Sequence, residues 1–287
     1  MNSGSDPESR RLRLSAKLGI IGGGVMGEAL LSRLIDQQLY LPDRIYISEP
    51  QAQRQDFLAT QYQVNVTADN QTVVAFADVL LLAIKPQVFD AVVAPLELGR
   101  PLAGNSQRSD QLVVSILAGV PIQRLETAFP GQPVVRAMPN TPATVGAGMT
   151  AIAPGNHTQP QHLHLARQLF EAVGEVVEVA EHLIDAVTGL SGSGPGYVAV
   201  MIEALIDGGV AVGLPRATAT QLAIQTVLGT AELLQTTGIH PAELKDRVTS
   251  PGGTTIAGIA HLESVGFRSA LIEAVRAAYE RSRELGG

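Results

Sequence analysis

The stretch that decides the fold is Lys17-Leu18-Gly19-Ile20-Ile21-Gly22-Gly23-Gly24-Val25-Met26-Gly27. Its glycines match the pattern G-x-G-x-x-G, with an apolar run before them and the helical periodicity of Leu30–Ile35 after them. In such a strand–turn–helix unit the first glycine makes the turn, the second lets a pyrophosphate approach, and the third packs the helix on the strand. The stretch therefore predicts a dinucleotide site. Its predicted cofactor contacts are Gly22, Gly24, Val25, Met26 and Gly27.

The next predicted strand ends in the polar pair Ser48 and Glu49. Glu49 follows Gly27 by 22 residues, where the acid that binds the adenosine ribose is expected. A carboxylate at this point accepts a hydrogen bond from a free 2′-OH and repels a 2′-phosphate, which slightly favours NADH. Ser48 and Arg54 could still accommodate the phosphate. We therefore expect NAD(P)H as the cofactor, with Ser48 and Glu49 in its site.

Strand and helix patterns alternate from residue 17 to about residue 180. A fully apolar run such as Val79–Ile84 is typical of a parallel strand covered on both faces. After residue 180 only helical spacing remains, interrupted by Gly-Pro, Leu-Pro and His-Pro boundaries. We predict an α/β fold with a disordered tail over residues 1–16, a doubly wound Rossmann-type domain over 17–180 and an all-helical, substrate-binding domain over 181–287. The predicted strands are Leu18–Ile21, Arg44–Ser48, Gln63–Val66, Asp78–Ile84, Gln111–Leu117, Pro133–Ala137, Gly148–Ala153 and Glu175–Val179.

Three loops follow predicted strands at the edge where ligands bind. Ligands of an open parallel sheet lie at the carboxyl ends of its strands, which places Ala83–Pro86, Leu117–Val120 and Met138–Pro142 in the cofactor crevice. A lysine after a strand is more often a solvated surface residue than a ligand contact. An amide held in a loop with two prolines is well suited to orient a ligand. The predicted cofactor contacts in these loops are Ala83, Lys85, Ala118, Gly119 and Asn140.

Composition limits the classes of function. The chain has 287 residues, 45% of them hydrophobic and 16% charged, which suggests two well-packed domains. A net charge of −7 argues against a nucleic-acid partner. No cysteine is present and the six histidines are scattered, so we expect no metal site. The longest apolar run, Tyr197–Leu214, contains two acidic residues, so we expect no membrane span. The polar N-terminus has no apolar core of a signal peptide, so we expect a cytoplasmic protein.

A second ligand site is predicted at Thr249-Ser-Pro-Gly-Gly-Thr-Thr-Ile256. Its glycines allow the backbone to approach a ligand closely, and Thr254 or Thr255 can cap a helix that starts at Ile256. The free N–H groups and the positive end of that helix would hold a carboxylate.

The segment between the two domains lacks a catalytic lysine. Dehydrogenases of β-hydroxy acids use a segment of the form G-x-x-G-x-G-x-x-x-K, in which the lysine handles the proton of the substrate hydroxyl. Here Gly189, Gly192 and Gly194 match, but the lysine position is Val198. Oxidation of an alcohol would lack its proton acceptor. An imine that is protonated in solution fits this chain better.

Taken together, these segments resemble pyrroline-5-carboxylate reductase over Lys17–Leu285. The resemblance rests on Ile20–Gly27, Val114–Gly119, Arg136–Pro142, Thr188–Pro195, Asp207–Pro215, Leu244–Thr255 and Leu262–Arg268. It implies reduction of 1-pyrroline-5-carboxylate to L-proline, the last step of proline biosynthesis, and homodimers or larger homo-oligomers formed through the helical domain. It also implies that Ala118 and Gly119 approach the nicotinamide, and that Thr255 bonds the ring nitrogen as the catalytic residue. The implied substrate-carboxylate contacts are Ser250, Gly252, Gly253, Thr254 and Thr255.

Two alternatives remain open. One is a dehydrogenase of a β-hydroxy acid or another imine with the same architecture, and Val198 argues against its hydroxy-acid form. The other is a nonenzymatic relative that keeps the fold. A pure binding protein would not need both the glycine turn and the carboxylate turn.

Overall fold

The computed structural model of the protein describes residues 14–96 and 110–286. Contacts between residues divide the chain into two compact units. The first unit comprises the described residues of Met1–Gly192 and Tyr279–Gly287, and the second comprises Ser193–Ala278.

Most of the predicted N-terminal tail, residues 1–13, lies outside the described residues. Residues 14–16 of the tail belong to the folded unit. The Leu14 N–H donates to the carbonyl oxygen of Leu39 at 3.0 Å, and both Leu14 and Ala16 pack against the core. Apolar contact therefore begins three residues before the predicted domain boundary.

The first unit is built on one eight-stranded sheet with the strand order β3-β2-β1-β4-β5-β6-β7-β8. This order winds outward from β1 in both directions, which confirms the predicted doubly wound fold. All eight predicted strands are present, with ends shifted by at most a few residues. The strands are β1 Leu18–Ile21, β2 Ile45–Ser48, β3 Asn65–Thr67, β4 Val79–Leu82, β5 Leu112–Ser115, β6 Val134–Met138, β7 Gly148–Pro154 and β8 Gly174–Glu178.

Helices cover both faces of the sheet. One buried layer joins the strands to α1, α2 and α6, and includes Leu31, Leu58 and Phe170. The other joins them to α3, α4 and α5, and includes Val73 and Phe89. Because both faces are buried, strands such as β4 are apolar at every position. The helices that contribute to these layers are α1 Val25–Asp36, α2 Ala52–Tyr62, α3 Asn70–Phe76, α4 Phe89–Val93, α5 Ile122–Ala128 and α6 Pro160–Glu171.

The sheet is not parallel throughout. Strand β7 runs antiparallel to β6, with Ala137 opposite Ile152, whereas β8 runs parallel to β7. Only residues 139–147 connect β6 to β7. A parallel crossover needs about a dozen residues or more, so this short connection reverses the chain.

The division between the units falls later than the predicted boundary at residue 180. The short helix α7 Ile184–Val187 and the π-helical turn Thr188–Gly192 stay with the first unit. Ile184 is buried there with Ile122, Ala151 and Ala153. This apolar contact keeps the start of the predicted helical domain on the sheet-containing unit.

The second unit contains only helices within Ser193–Ala278, all of which the structure describes. Helices α8 and α9 pack against each other. Only Ala219 and Ala223 are buried in this unit, while large apolar side chains such as Val200 and Ile272 are at least 60% exposed. The unit has little core of its own. Its helices are α8 Gly194–Ala211, α9 Arg216–Thr237, α10 Pro241–Arg247, α11 Thr254–Ser264 and the first part of α12 Phe267–Gly286.

Among the described residues, none of the helices has both the length and the apolar character needed to span a membrane.

Candidate active site

The three glycines of the G-x-G-x-x-G pattern have different surroundings. Gly22 has φ +104°, and a Cβ there would lie 2.6 Å from the carbonyl oxygen of Ala83. A Cβ on Gly27 would collide with the carbonyl oxygen of Gly22. At Gly24, by contrast, no heavy atom lies within 4 Å of a Cβ position. The second glycine therefore opens on space that a pyrophosphate can fill, so the residues fit a dinucleotide.

Helix α1 points its N-terminus at that space. Gly24 is its N-cap residue and no side chain caps the helix. The N–H groups of the first helical turn have no acceptor within the helix, and the positive end of the helix dipole favours an anion. Val25 and Met26, both predicted cofactor contacts, lie in this turn. The local backbone thus supplies donors for phosphate oxygens.

The backbone of Gly23 is held by two side chains of opposite charge. Its N–H donates to Glu49 Oε2 at 3.1 Å, and its carbonyl oxygen accepts from Arg54 Nε at 2.9 Å. The other Glu49 oxygen accepts from the N–H of Gln51 at 3.1 Å. Glu49 is buried, and these two backbone bonds fix its carboxylate beside the glycine turn. Sequence reasoning missed that Glu49 and Arg54 both bond the backbone of Gly23.

Arg54 belongs to a small polar network. Its guanidinium pairs with the Glu28 carboxylate and lies 4.9 Å from the centre of the Phe57 ring. The Tyr62 hydroxyl donates to the other Glu28 oxygen at 2.7 Å. Burial opposes ionisation of Glu28, but bonds from Arg54 and Tyr62 and the charge of Arg54 outweigh it and lower the Glu28 pKa. Burial, together with the bond to Glu28 and its charge, raises the pKa of Tyr62 to about 12.

The Ser48 hydroxyl bonds within the protein, and a cofactor contact by Ser48 stays a prediction. Its hydroxyl is buried and donates to Asn70 Oδ1 at 2.6 Å. This bond ties the end of β2 to the start of α3. Of the two side chains predicted to accommodate a 2′-phosphate, Arg54 therefore has the better geometry, since its side chain is partly exposed.

The loops after β4 and β5 lie at the carboxyl edge of the sheet, as expected. Ala83 is half-buried and Lys85 is exposed. Ala118 is half-buried, whereas Gly119 is buried with φ +73°. A Cβ on Gly119 would lie 3.1 Å from the carbonyl oxygen of Leu285. The last turn of α12 therefore covers the loop that was predicted to approach the nicotinamide.

Both ends of the Asn140 amide are occupied within the first unit. Its Oδ1 accepts from the N–H of Met149 at 2.9 Å, and its Nδ2 donates to the carbonyl oxygen of Ser191 at 3.1 Å. Asn140 thus ties the loop after β6 to the start of β7 and to the π-helical turn. The same turn also approaches the end of β6 at Gly192, where a Cβ would lie 2.7 Å from Met138 Cε. A cofactor contact by Asn140 stays a prediction.

An ionic cluster lies near Gly119 that sequence reasoning missed. The buried Arg136 guanidinium lies 3.3 Å from Glu181 and 3.9 Å from Asp185. Asp185 accepts from the Ser282 hydroxyl at 2.7 Å. An arginine inside the apolar strand β6 was the available signal, because a buried charge needs a partner. The cluster anchors the end of α12 to the first unit. An open cleft of about 670 Å³ beside it is lined by Gly119, Pro121, Arg136, Asp185, Glu280, Arg283, Glu284 and Gly286.

The predicted carboxylate turn lies in the second unit. Gly252 has φ +66°, and the N–H of Gly253 donates to the carbonyl oxygen of Ser250 at 3.0 Å. The predicted capping by Thr254 or Thr255 is wrong. Gly253 is the N-cap residue of α11, the helix begins at Thr254, and no side chain caps it. The extended backbone of Gly253 starts the helix two residues earlier than predicted.

The start of α11 at Thr254 determines which groups the turn can offer to a ligand. Both threonines lie in the first turn of α11, so their hydroxyls are not used as caps. Thr254 is exposed and Thr255 is half-buried. The turn can offer backbone N–H groups and hydroxyls to a carboxylate at the positive end of the helix.

Within residues 14–96 and 110–286, no three His, Cys, Asp or Glu side chains lie close enough together to hold a metal ion.

Comparisons with known proteins match both parts of the chain. Residues 181–285 match the family model for pyrroline-5-carboxylate reductase dimerisation, and residues 17–119 match that for coenzyme F420-dependent NADP oxidoreductase. The first of these matches begins at the predicted domain boundary.

Over nearly its whole length the chain is similar to pyrroline-5-carboxylate reductases. The chain is 61% identical to pyrroline-5-carboxylate reductase of Synechocystis over 273 residues, which cover 95% of this chain and 99% of that protein. The solved structure of a pyrroline-5-carboxylate reductase from Coxiella burnetii is 35% identical, with a TM-score of 0.86 over 96% of this chain and all of that one. The Plasmodium falciparum pyrroline carboxylate reductase, solved with NADP bound, is 29% identical, with a TM-score of 0.83 over 95% and 99% of the two chains. The chain belongs to the pyrroline-5-carboxylate reductase family, whose members are NAD(P)H-dependent oxidoreductases.

Proposed function

We propose that this protein reduces 1-pyrroline-5-carboxylate to L-proline with NAD(P)H. The observation that carries the proposal is the open glycine turn, in which Gly22 and Gly27 are packed and Gly24 faces free space. A family member that keeps this cradle keeps the means to bind a hydride donor. The uncapped turn before α11 supplies the second requirement, a seat for the substrate carboxylate.

The first unit holds the cofactor. The N–H groups at the start of α1 bind the pyrophosphate, and Glu49 faces the adenosine ribose. The loops at Ala83, Lys85 and Ala118–Gly119 line the rest of the crevice. The bound cofactor supplies the hydride that reduces the imine carbon. Glu49 favours NADH slightly, because its charge opposes a 2′-phosphate.

The second unit holds the substrate. Ser250, Gly252, Gly253 and Thr254 surround the carboxylate with backbone N–H groups and hydroxyls. Thr255 places its hydroxyl at the ring nitrogen. A protonated imine needs no further proton before it accepts a hydride, so the residues mainly orient the ring. This arrangement requires neither a catalytic histidine nor the lysine that Val198 replaces.

The active form is a homodimer or a larger homo-oligomer. The exposed apolar side chains of the second unit, such as Val200, Val212 and Ile272, support this assembly. A second copy of the chain would cover them. Light scattering at micromolar concentration is expected to give a mass of at least twice 30.1 kDa.

The test of the proposed function is oxidation of NADH and NADPH by the purified protein, with and without 1-pyrroline-5-carboxylate. Cofactor oxidation that depends on the imine, with proline as the product, is expected. Folded protein that binds cofactor but oxidises none of it with this substrate would contradict the proposal. Reduction of NAD⁺ coupled to oxidation of a β-hydroxy acid would favour the alternative dehydrogenase.

A further inference from the structure

We propose that Glu28 is a specificity-determining residue, whose carboxylate neutralises Arg54 beside the expected ribose position and thereby weakens recognition of a 2′-phosphate. The inference rests on cofactor binding by the first unit, which is part of the proposed function, but not on the identity of the substrate.

The position of Arg54 is the first step. Arg54 lies in the first turn of α2, which begins three residues after Glu49. Its Nε and the Glu49 carboxylate bond the carbonyl and N–H of the same residue, Gly23. In this fold an acid at the end of β2 binds a 2′-OH and a nearby arginine accommodates a 2′-phosphate. Both alternatives are therefore present at one residue, Gly23.

The partner of Arg54 is the second step. The terminal nitrogen of Arg54 pairs with Glu28 Oε2, while Tyr62 bonds Glu28 Oε1 at 2.7 Å and fixes the carboxylate in this pairing. The Arg54 and Glu28 side chains are only 28% and 25% exposed, so water screens this pair incompletely. A 2′-phosphate would have to compete with a carboxylate that is already in place.

The fixed position of the guanidinium is the third step. The bond from Arg54 Nε to Gly23 at 2.9 Å and the Phe57 ring at 4.9 Å hold it independently of Glu28. Neutralising Glu28 should therefore leave Arg54 in place and make its charge available. The gain should appear only with ligands that carry a 2′-phosphate.

The experiment compares two ligands that differ in that phosphate, adenosine 2′,5′-bisphosphate and adenosine 5′-monophosphate. Calorimetric titration of the full chain gives the ratio of their affinities. Glu28→Gln should raise the ratio in favour of the bisphosphate by about 2- to 5-fold, the effect of one partly exposed charge pair. Because the 5′-phosphate is common to both ligands, a general effect on anion binding at α1 cancels in the ratio.

Three further variants make the result specific. Tyr62→Phe keeps both charges and removes one hydrogen bond, so it should leave the ratio nearly unchanged. Glu28→Gln combined with Arg54→Met should abolish the gain, which shows that it acts through Arg54. Glu28→Asp withdraws the carboxylate without removing its charge and should give a smaller gain, which provides a second measurement if the glutamine variant folds poorly.

An unchanged ratio in Glu28→Gln would overturn the proposal, as would a gain that persists without Arg54. Neither result depends on catalysis. A protein that fails to reduce 1-pyrroline-5-carboxylate but shows the shift in ratio would contradict the proposed function and leave the role of Glu28 intact.

Discussion

Asn140 provides a sharp test of how the first unit is held together. Asn140→Ala removes the bonds from Met149 N–H and to the Ser191 carbonyl, at 2.9 and 3.1 Å. Two net hydrogen bonds at a half-buried site are worth about 1–3 kcal/mol. For a unit of roughly 200 residues, each kcal/mol lowers the thermal midpoint by about 2–4 °C. The alanine variant should therefore unfold several degrees below the parent.

Asn140→Asp separates the two bonds by pH. The introduced carboxyl can still accept from Met149, but when ionised it places negative charge against the Ser191 carbonyl oxygen. When protonated it can donate to that oxygen as the amide does. The folded state thus raises the pKa of the introduced group above its unfolded value of about 3.9. Its stabilising contribution is complete below that value and is lost as the pH rises through the folded pKa.

The assay is the thermal midpoint of parent, Asn140→Ala and Asn140→Asp between pH 4 and pH 8. The gap between the aspartate variant and the parent should narrow toward acid pH, while the gap for alanine stays constant. An aspartate gap that ignores pH would refute this reasoning. An alanine variant with an unchanged midpoint but weaker nucleotide binding would instead support the cofactor contact predicted from the sequence.

Three further experiments test separate features of the protein. If the Thr255 hydroxyl bonds the ring nitrogen in the transition state, Thr255→Val should lower turnover roughly 10²-fold and Thr255→Ser much less. Steady-state kinetics measures both variants. A loss confined to KM would mean that Thr255 only binds the substrate. Gly22→Ala should destabilise the fold by about 1–3 kcal/mol because of its φ of +104° and the nearby Ala83 carbonyl, whereas Gly24→Ala should keep the melting temperature and lose cofactor affinity. Because the pKa of Glu28 is lowered in the folded state, its carboxylate stabilises the fold above the ordinary pKa of 4.5, and this stabilisation is lost as the pH falls through the folded pKa. The free energy of unfolding of the parent should therefore fall more steeply with acid than that of Glu28→Gln. The same dependence on pH in both proteins would refute the pairing.

The fold was largely predictable because its signals are local. Central strands such as Val79–Leu82 are short apolar runs, and the first glycine turn carries its own pattern from Gly22 to Gly27. Strand direction is not local, and a buried run such as Gly148–Pro154 has the same composition in either direction. The length of the preceding connection held that information, since residues 139–147 are too few for a parallel crossover.

The candidate site was less predictable because partners distant in sequence decide what each side chain does. Ser48 ends β2 at a position suited to bind phosphate, yet its hydroxyl donates to Asn70, 22 residues later. Asn140 was predicted from its rigid loop, but its second partner, Ser191, lies 51 residues away. Residue type and spacing indicate where a polar group lies. They do not indicate which other polar group forms a hydrogen bond with it in the folded protein.

The surroundings of Gly23 show how the two levels combine. The glycine pattern determines that a dinucleotide can approach, because it controls φ and the space beside the backbone. The charges that surround this turn, Glu49, Arg54 and Glu28, contribute nothing to that pattern and come from three different elements. A family can therefore keep the glycines while it varies the charges, with the reaction unchanged and the preference for a 2′-OH or a 2′-phosphate altered. We therefore expect cofactor preference in this protein to depend on Glu28 and Arg54 as well as on Glu49, because Arg54 can oppose the acid only where its charge is free.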